Sequence, residues 1–572
     1  MDIATPRKSL RIAVEGCGHG TLNAIYASIG QACKTNGWDG VDLLVIGGDF
    51  QAVRNAHDLN CMSVPIKYRQ IGDFHEYYSG KRIAPYLTIF VGGNHEASNH
   101  LFELYYGGWV APNIYYMGAA NVVRLGPLRI AGLSGICKGN NYNKPHHERL
   151  PYGNRDLKSV YHVRELDVRK LLQIRTQVDV GISHDWPMGI EWKGDWKGLF
   201  KEKPWLKADA NNGELGSEAA KSVMERLRPP YWFSAHLHIK YSAVVEHGER
   251  NEVSSGSATA SANNQRQISE TPNIDIIEVP VEDEQQKTQV FNDDKIDLDM
   301  DDDDINDAPP NQDQPPPKQA EPSTEVPDSL RAQLPASFSR HAPPQPSQDE
   351  PLINLAFPSA ITNKKTRFLA LDKCLPKRKF LQILELEPHT TSPNAPFTDP
   401  PTLQYDKEWL AITRVFASDL TLGDFSQPVP PKKGEAFYRE RIEKEEEWVE
   451  ENIIKAGKMS IPQNFTRTAP PYDPQQGIRG MEQPPEYSNP QTEQFCGLVG
   501  IENKFCISEE ERAARVERYE REKAAEGQGQ GQDSGFRGHG RGGWRGRGNF
   551  RGGRRGRGGR GGRGGGGGRG RG

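Results

Sequence analysis

LTIFVGGNHE, Leu87 to Glu96, is a run of strand-forming residues that breaks into two glycines and then into an amide, an imidazole and a carboxylate. β-Branched and aromatic residues suit a buried strand, and glycine at its exit lets other groups approach the backbone closely. The same arrangement recurs along the chain. Leu10 to Glu15 leads into Cys17-Gly18-His19, Asp42 to Ile46 into Gly47-Gly48-Asp49, Val178 to Ile182 into Ser183-His184-Asp185, and Tyr231 to Ser234 into His236-Leu237-His238. Leu128 to Leu133 is a further run of strand length. Between the first two runs, Leu22, Ile25, Tyr26, Ile29 and Cys33 follow helical spacing, with Gly37 as a stop. The rhythm from Leu10 to about His247 predicts an α/β (α+β) domain of layered sheets. Parallel strands set their C-terminal ends along one crest, so the polar exits are expected to meet.

Imidazole, carboxylate and amide oxygen at such a crest suit a divalent transition ion. Alternate residues of a strand face the same way, so His236 and His238 can serve one site or two adjacent ones. A carboxylate such as Asp49 can bridge two ions, and a pair about 3.5 to 4 Å apart clamps a phosphate and activates water for in-line attack. Taken singly, each residue has an ordinary explanation: Asp49 as a turn residue, Asn94 as a helix cap, any one histidine as a hydrogen-bonded core residue. Independent structural needs would rarely place ligand-type residues at five successive exits. Phosphoester hydrolysis is the chemistry this set implies.

Composition bounds the rest. Only 35% of the 572 residues are hydrophobic, most of the 42 Pro fall in the second half and a dense run of the 59 Gly lies at 535–572, which leaves much of the chain too polar for a core. Gly535 to Gly572 holds 12 Arg and no acid, so the net charge of -4 hides an acidic body and a cationic tail. The seven cysteines lack CxxC spacing, which argues against a disulfide framework or zinc ribbon, and no window offers the roughly 18 apolar residues of a membrane span. A soluble protein of a reducing compartment is expected. The boundaries read as a folded domain at 1–247, an acidic and Pro-rich disordered linker at 248–351, and ordered sequence at 352–460. That third segment forms a small domain or docks back on the first. Residues 461–534 read as mostly disordered with a charged helix opened by a Ser508/Glu511 capping box, and 535–572 as an Arg/Gly-rich disordered tail.

The order CxH, GGD, GNHE, SHD, HxH resembles the calcineurin-like metallophosphoesterases, with Cys17 where an aspartate is usual. The Asp49-Phe-Gln-Ala-Val-Arg-Asn55 block also departs from the GDxxDRG of that superfamily's protein phosphatases. Both departures are similar to the RNA lariat debranching family. So are Ser134-Gly-Ile136, Tyr161-His-Val-Arg164, His184-Asp-Trp-Pro187, Phe233 to His238 and LALDKCLPKRKFLQILE.

The resemblance covers roughly the first 245 residues plus Thr366 to about Phe416. It implies a double β-sandwich flanked by helices over 1–247, followed by a small C-terminal debranching-enzyme domain over 352–460. His19, Asp49 and His238 would form one metal pocket together with Cys17. Asp49, Asn94, His184 and His236 would form a second. The cofactor would be a divalent transition metal, Fe(2+), Zn(2+) or Mn(2+), with one or two ions per site. His95 would be the general acid, and Glu96 or Asp185 would orient neighbouring imidazoles.

The implied reaction is hydrolysis of the 2′-5′ phosphodiester at the branch point of excised intron lariats, in a nuclear protein free to shuttle. Residues 135–164 would form a lariat recognition loop, with Tyr142, His146, His147, Tyr152, Tyr161 and Arg164 as candidate RNA contacts. The Arg/Gly tail, punctuated by Phe536, Trp544 and Phe550, suits accessory RNA binding. The partner is branched intron RNA, and splicing factors are further candidates. Two alternatives stay open: a nuclease or phosphatase acting on another phosphoester, and a non-catalytic RNA-binding scaffold.

Overall fold

The structure is a computed structural model that describes residues 9–248, 356–389, 401–475, 477 and 482–531. The linker and Arg/Gly tail expected at 248–351 and 535–572 lie outside the described residues, apart from residue 248. Among the described residues no helix is long and apolar enough to cross a membrane.

Among the described residues thirteen strands form two sheets: β1 (Leu10–Glu15), β2 (Leu43–Ile46), β3 (Thr88–Phe90), β4 (Gly108–Ala111), β5 (Ile114–Tyr116), β6 (Ala120–Leu125), β7 (Leu128–Leu133), β8 (Val180–Ser183), β9 (Tyr231–Ser234), β10 (Tyr241–Glu246), β11 (Lys365–Ala370), β12 (Leu381–Leu386) and β13 (Leu403–Tyr405). One sheet runs β12-β1-β2-β3-β5-β4 and the other β10-β11-β9-β8-β7-β6-β13. Helix α1 (Leu22–Thr35) joins β1 to its parallel neighbour β2 and ends at Asn36, with Gly37 at φ +66°.

Period-two alternation assigns each face. Ile12, Val14, Leu43, Val45, Ile89, Val180, Ile182 and Phe233 fill the core between the sheets. Ala13, Leu44, Ile46 and Phe90 turn outward under α1, against Leu22, Ile25 and Ile29. Strands covered on both faces need unbroken apolar runs, which is why those runs stood out in the sequence.

The region after the linker docks back on the first domain. β11 lies between β9 and β10 of one sheet, and β12 pairs antiparallel with β1 at the edge of the other, so a single segment laces both sheets. The helix Lys407–Phe416 buries Trp409, Leu410, Ile412 and Phe416. Its N-cap, Asp406, accepts from the Trp409 backbone N–H (3.1 Å), from Arg129 Nη2 (2.6 Å) and from Arg124 Nε (2.9 Å).

The expectation that 461–534 is mostly disordered needs correction over the described residues of 461–507. Asn489 caps the helix Pro490–Val499, and Gln491 exchanges two hydrogen bonds with the Trp109 backbone (2.7 and 2.8 Å). Trp109 Nε1 donates to Pro462 O at 2.8 Å, and Arg54 Nη1 to Thr468 Oγ1 at 2.9 Å. The described residues of this stretch are held both by these polar groups of the first domain and by Phe495, Cys496, Val499 and Phe505 in its core, apolar residues too few to form a periodic run in the sequence. The charged helix Glu509–Gly531 begins as the capping box predicts, with the Glu511 N–H on Ser508 Oγ at 3.1 Å.

Asp406→Ala removes one of the two carboxylates on the buried Arg129 guanidinium, leaving Glu408 at 2.9 Å, and is expected to cost about 1.5–3 kcal/mol at neutral pH in urea unfolding. Lys407→Ala, at the half-exposed pair with Glu450, should cost under about 1 kcal/mol. Burial alone would raise the Asp406 carboxyl, but Arg129 and Arg124 hold it below the usual carboxylate range. A depressed folded-state value means the stabilisation is whole above about pH 4 and drains as pH falls through the lowered value, so the gap to wild type should narrow there.

Candidate metal centre

The five polar exits meet at one end of the sandwich. β1, β2 and β3 are mutually parallel in one sheet, as are β8 and β9 in the other, and the turns that follow them face each other across the seam. Gly18 N–H donates to Gly48 O (3.2 Å), His19 N–H to Asp49 O (2.6 Å) and Ala235 N–H to His184 O (3.0 Å). His19, Asp49, His236 and His238 all adopt positive φ, between 41° and 63°. Gly48 has φ +124°, and a Cβ there would lie 2.2 Å from His184 Nδ1. At Gly93 a Cβ would lie 2.2 Å from Asp49 Oδ1, so the paired glycines of the motifs are the space the ligands occupy.

Cys17, His19, Asp49 and His238 present ligand atoms all within 4.8 Å of one another. His19 Nε2 is 3.2 Å from His238 Nε2 and 3.8 Å from Asp49 Oδ2. The other oxygen of the same carboxylate faces a second group: Asp49 Oδ1 is 3.4 Å from His184 Nε2, which lies 3.2 Å from Asn94 Oδ1. The His236 ring stands 5.0 Å from that of His184, and its backbone N–H reaches Cys17 Sγ at 3.2 Å. All the predicted metal-site residues are therefore together, with Asp49 between two donor sets. A thiol, imidazoles and a carboxylate at this spacing fit a divalent transition ion.

Electrostatics follow from burial. Burial, with Asp49 and Glu15 close by, pushes the Cys17 thiol well above its ordinary range. Burial and the neighbouring His184 lower His236 to about 3, which leaves it neutral and able to ligate. For Asp49, burial would raise the carboxyl, but His184, His95 and His19 prevail and hold it well down.

His95 donates its backbone N–H to Asp49 Oδ1 (2.9 Å), and its Nδ1 lies 3.7 Å from Asp49 Oδ2. Its Nε2 is buried without a hydrogen-bond partner among the described residues.

Glu96 does not orient an imidazole as expected. It accepts from the backbone N–H groups of Phe50 (2.8 Å), Gln51 (2.8 Å) and Gly93 (2.9 Å), tying two exits together, and burial beside Asp49 raises it to about 7. Gly47 O faces His184 Nδ1 at 2.9 Å, and Gln51 Nε2 lies 3.1 Å from His19 Nδ1. Gln51 went unnoticed in the sequence; its one signal was an amide two residues beyond a ligand.

The 135–164 loop starts beside the centre, where Gly135 N–H donates to Gly92 O at 2.8 Å. Three of its candidate RNA contacts face inward, which corrects their assignment. Tyr152 is 1% exposed, with its backbone bonded to Gln483. His146 Nε2 meets Asp167 Oδ2 at 2.7 Å, and Arg164 is buried on Glu148 at 2.5 Å. These residues brace the loop. Tyr142, His147 and Tyr161 remain partly exposed. Phe425, 59% exposed, faces His147 edge-on at 5.0 Å and Lys144 at 4.3 Å, a partner no local sequence signal reveals.

Residues 10–240 match the family model of the calcineurin-like phosphoesterases, and residues 363–504 that of the lariat debranching enzyme C-terminal domain. The Schizosaccharomyces pombe lariat debranching enzyme is 39% identical over 504 residues, covering 86% of this chain and 96% of that protein. The Drosophila melanogaster enzyme is 38% identical, covering 87% and 79%. The Homo sapiens enzyme is 36% identical, covering 86% and 69%. The chain belongs to the lariat debranching enzyme family. Within that family's fold, the C-terminal region supplies β11 and β12 and so supports the backbone behind Cys17, whose C=O accepts from Cys374 N–H at 3.4 Å.

Glu96→Ala removes the acceptor shared by three backbone N–H groups. It is expected to weaken metal binding by about 10- to 100-fold, read by titrating zinc into chelator-stripped protein. An affinity equal to wild type would remove Glu96 from the support of the centre.

Proposed function

We propose that this protein is a metal-dependent RNA phosphodiesterase that hydrolyses the 2′-5′ bond at the branch point of excised intron lariats. The observation that carries the reading is Asp49 turning one oxygen to each donor set, with the open Nε2 of His95 alongside. Cys17, His19, Asp49 and His238 would hold one ion, and Asp49, Asn94, His184 and His236 a second. A thiol and imidazoles favour Zn(2+) or Fe(2+) over harder ions. When bound, such an ion supplies Lewis-acid polarisation of the phosphoryl group and makes water nucleophilic at neutral pH.

The chain's own groups do the rest. Asp49 keeps the two donor sets in register, and Glu96 holds the turns that carry them. His95 presents Nε2 to the substrate and, as an imidazolium, protonates the departing 2′ oxygen; its backbone link to Asp49 ties the acid to the centre. The products are a linear intron with a 5′ phosphate and a free 2′ hydroxyl. Tyr142, His147 and Tyr161, with Lys144 and Phe425, offer partly exposed rings and a cation to unpaired nucleotides beside the branch. Such a substrate places the protein in the nucleus.

Turnover of 2′,5′-branched against linear 3′,5′ oligoribonucleotides tests the reading. Only the branched form should be cut, and equal cleavage would return the protein to general phosphodiesterases. His95→Ala should lower turnover of branched RNA by about 10²- to 10⁴-fold with bound metal retained, and an unchanged rate would remove His95 as the acid.

A further inference from the structure

The chain leaving β8 passes through His184-Asp185-Trp186-Pro187 and then builds a surface unlike any other on the described protein. Trp192, Trp196 and Trp205 are 41%, 39% and 39% exposed, and no other tryptophan among the described residues is so open. Isolated exposed apolar side chains are ordinary, whereas several large rings gathered in one stretch mark a contact surface. Lysines interleave with them: Lys193, Lys197, Lys201 and Lys207 are exposed, and Lys197 lies over the Trp196 ring at 5.4 Å.

This surface is held in place beforehand. Gly194 forms an antiparallel bridge with Ala243 of β10, and Tyr241 OH donates to Glu191 O at 2.5 Å. A Cβ at Gly194 would lie 2.2 Å from Ser242 O, so the close approach requires glycine there. Asp195 caps the helix Trp196–Glu202 by accepting from Gly198 N–H at 3.0 Å. Leu199, Phe200 and Leu206 anchor the stretch from below. Trp192 and Trp196 stand 5.8 Å apart, and both rings pack on Phe200. Aromatic rings already ordered lose little freedom when a ligand stacks on them.

We propose that Trp192, Trp196 and Trp205, with the interleaved lysines, form a stacking platform for unpaired nucleotides of the RNA that enters the metal centre. The identity of that RNA rests on the function proposed above. Two features select nucleic acid as the occupant. Exposed cations alternating with π-faces complement a strand of alternating phosphates and bases, in a chain whose body is acidic. The platform also follows the centre directly along the chain, beginning eight residues after His184 at the β8 exit. The platform and the 135–164 loop would then receive different segments of one branched molecule.

The test pairs turnover with a binding signal that needs no turnover. In the full chain, Trp192→Ala with Trp196→Ala should lower kcat/KM for a branched oligoribonucleotide with unpaired flanks about tenfold, and Trp192→Phe with Trp196→Phe should recover it to within about twofold. The fractional quench of tryptophan fluorescence by linear oligouridylate, read in chelator, should fall in the alanine pair. Unchanged kcat/KM and unchanged quench overturn the platform. A protein captured by wild type but lost by the alanine pair, with the quench intact, also overturns it and assigns the surface to protein. Failure of wild type to cut branched RNA overturns the reaction proposed above, while a quench that depends on Trp192 and Trp196 still supports the platform.

Discussion

Everything at the centre depends on each ligand-bearing turn being hydrogen-bonded to the next. His19, Asp49, Gln51, His236 and His238 are all non-glycine residues at positive φ, a conformation that costs about 1–3 kcal/mol at each position when nothing enforces it. Here neighbours enforce it. The 17–20 turn lies on the 48–50 turn through three backbone bonds, Glu96 gathers N–H groups from two exits, and the β9 exit hangs on the carbonyl of His184. The strained turns therefore stand or fall together, and the two sheets must keep their relative placement for ligands from both to meet.

That requirement explains why residues far along the chain matter to a site whose ligands all precede 239. The segment 365–386 contributes a strand to each sheet, and between those strands Lys373 pairs with Cys17 in a parallel bridge. Further along, Thr468 and Asn489 join Glu103 and Arg54 in a buried polar network beneath the block that carries Asp49. The arginine of that block, which protein phosphatases of the superfamily carry in a GDxxDRG motif, is here fully buried on Asp58 (2.8 Å) and Glu103 (2.7 Å). It acts on the site through packing.

The strands that carry ligands were legible in the sequence because burial on both faces demands continuous apolar runs and because glycine has to follow them. The rest of the sheets was not. β4 and β5 are three or four residues long and separated by Pro112 and Asn113, while β6 and β10 lack ligand residues at their ends, so nothing marked them against turns. In the 135–164 loop, composition named the right residue types but could not give their direction. Tyr152, His146 and Arg164 face inward because Gln483, Asp167 and Glu148 wait there, and the first of these lies 331 residues away. The described residues of 461–507 were hidden for the same reason: the groups they bond and pack against lie elsewhere in the chain.

Cys17 shows how the charge of the centre is limited. The position lies in full burial beside Asp49 and Glu15, and Glu15 is itself raised by burial, Asp372 and Asp49, with neither oxygen hydrogen-bonded among the described residues. An aspartate at position 17 would bring another carboxylate into this pocket against Asp49. A thiol stays neutral there by itself and becomes a strong ligand only when a cation draws off its proton. Asp49 is then the carboxylate held ionised, balanced by the imidazoles around it. The substitution of cysteine for the superfamily's usual aspartate thus lets the pocket gather a soft donor set without the repulsion that a second ionised acid would impose on the strained turns.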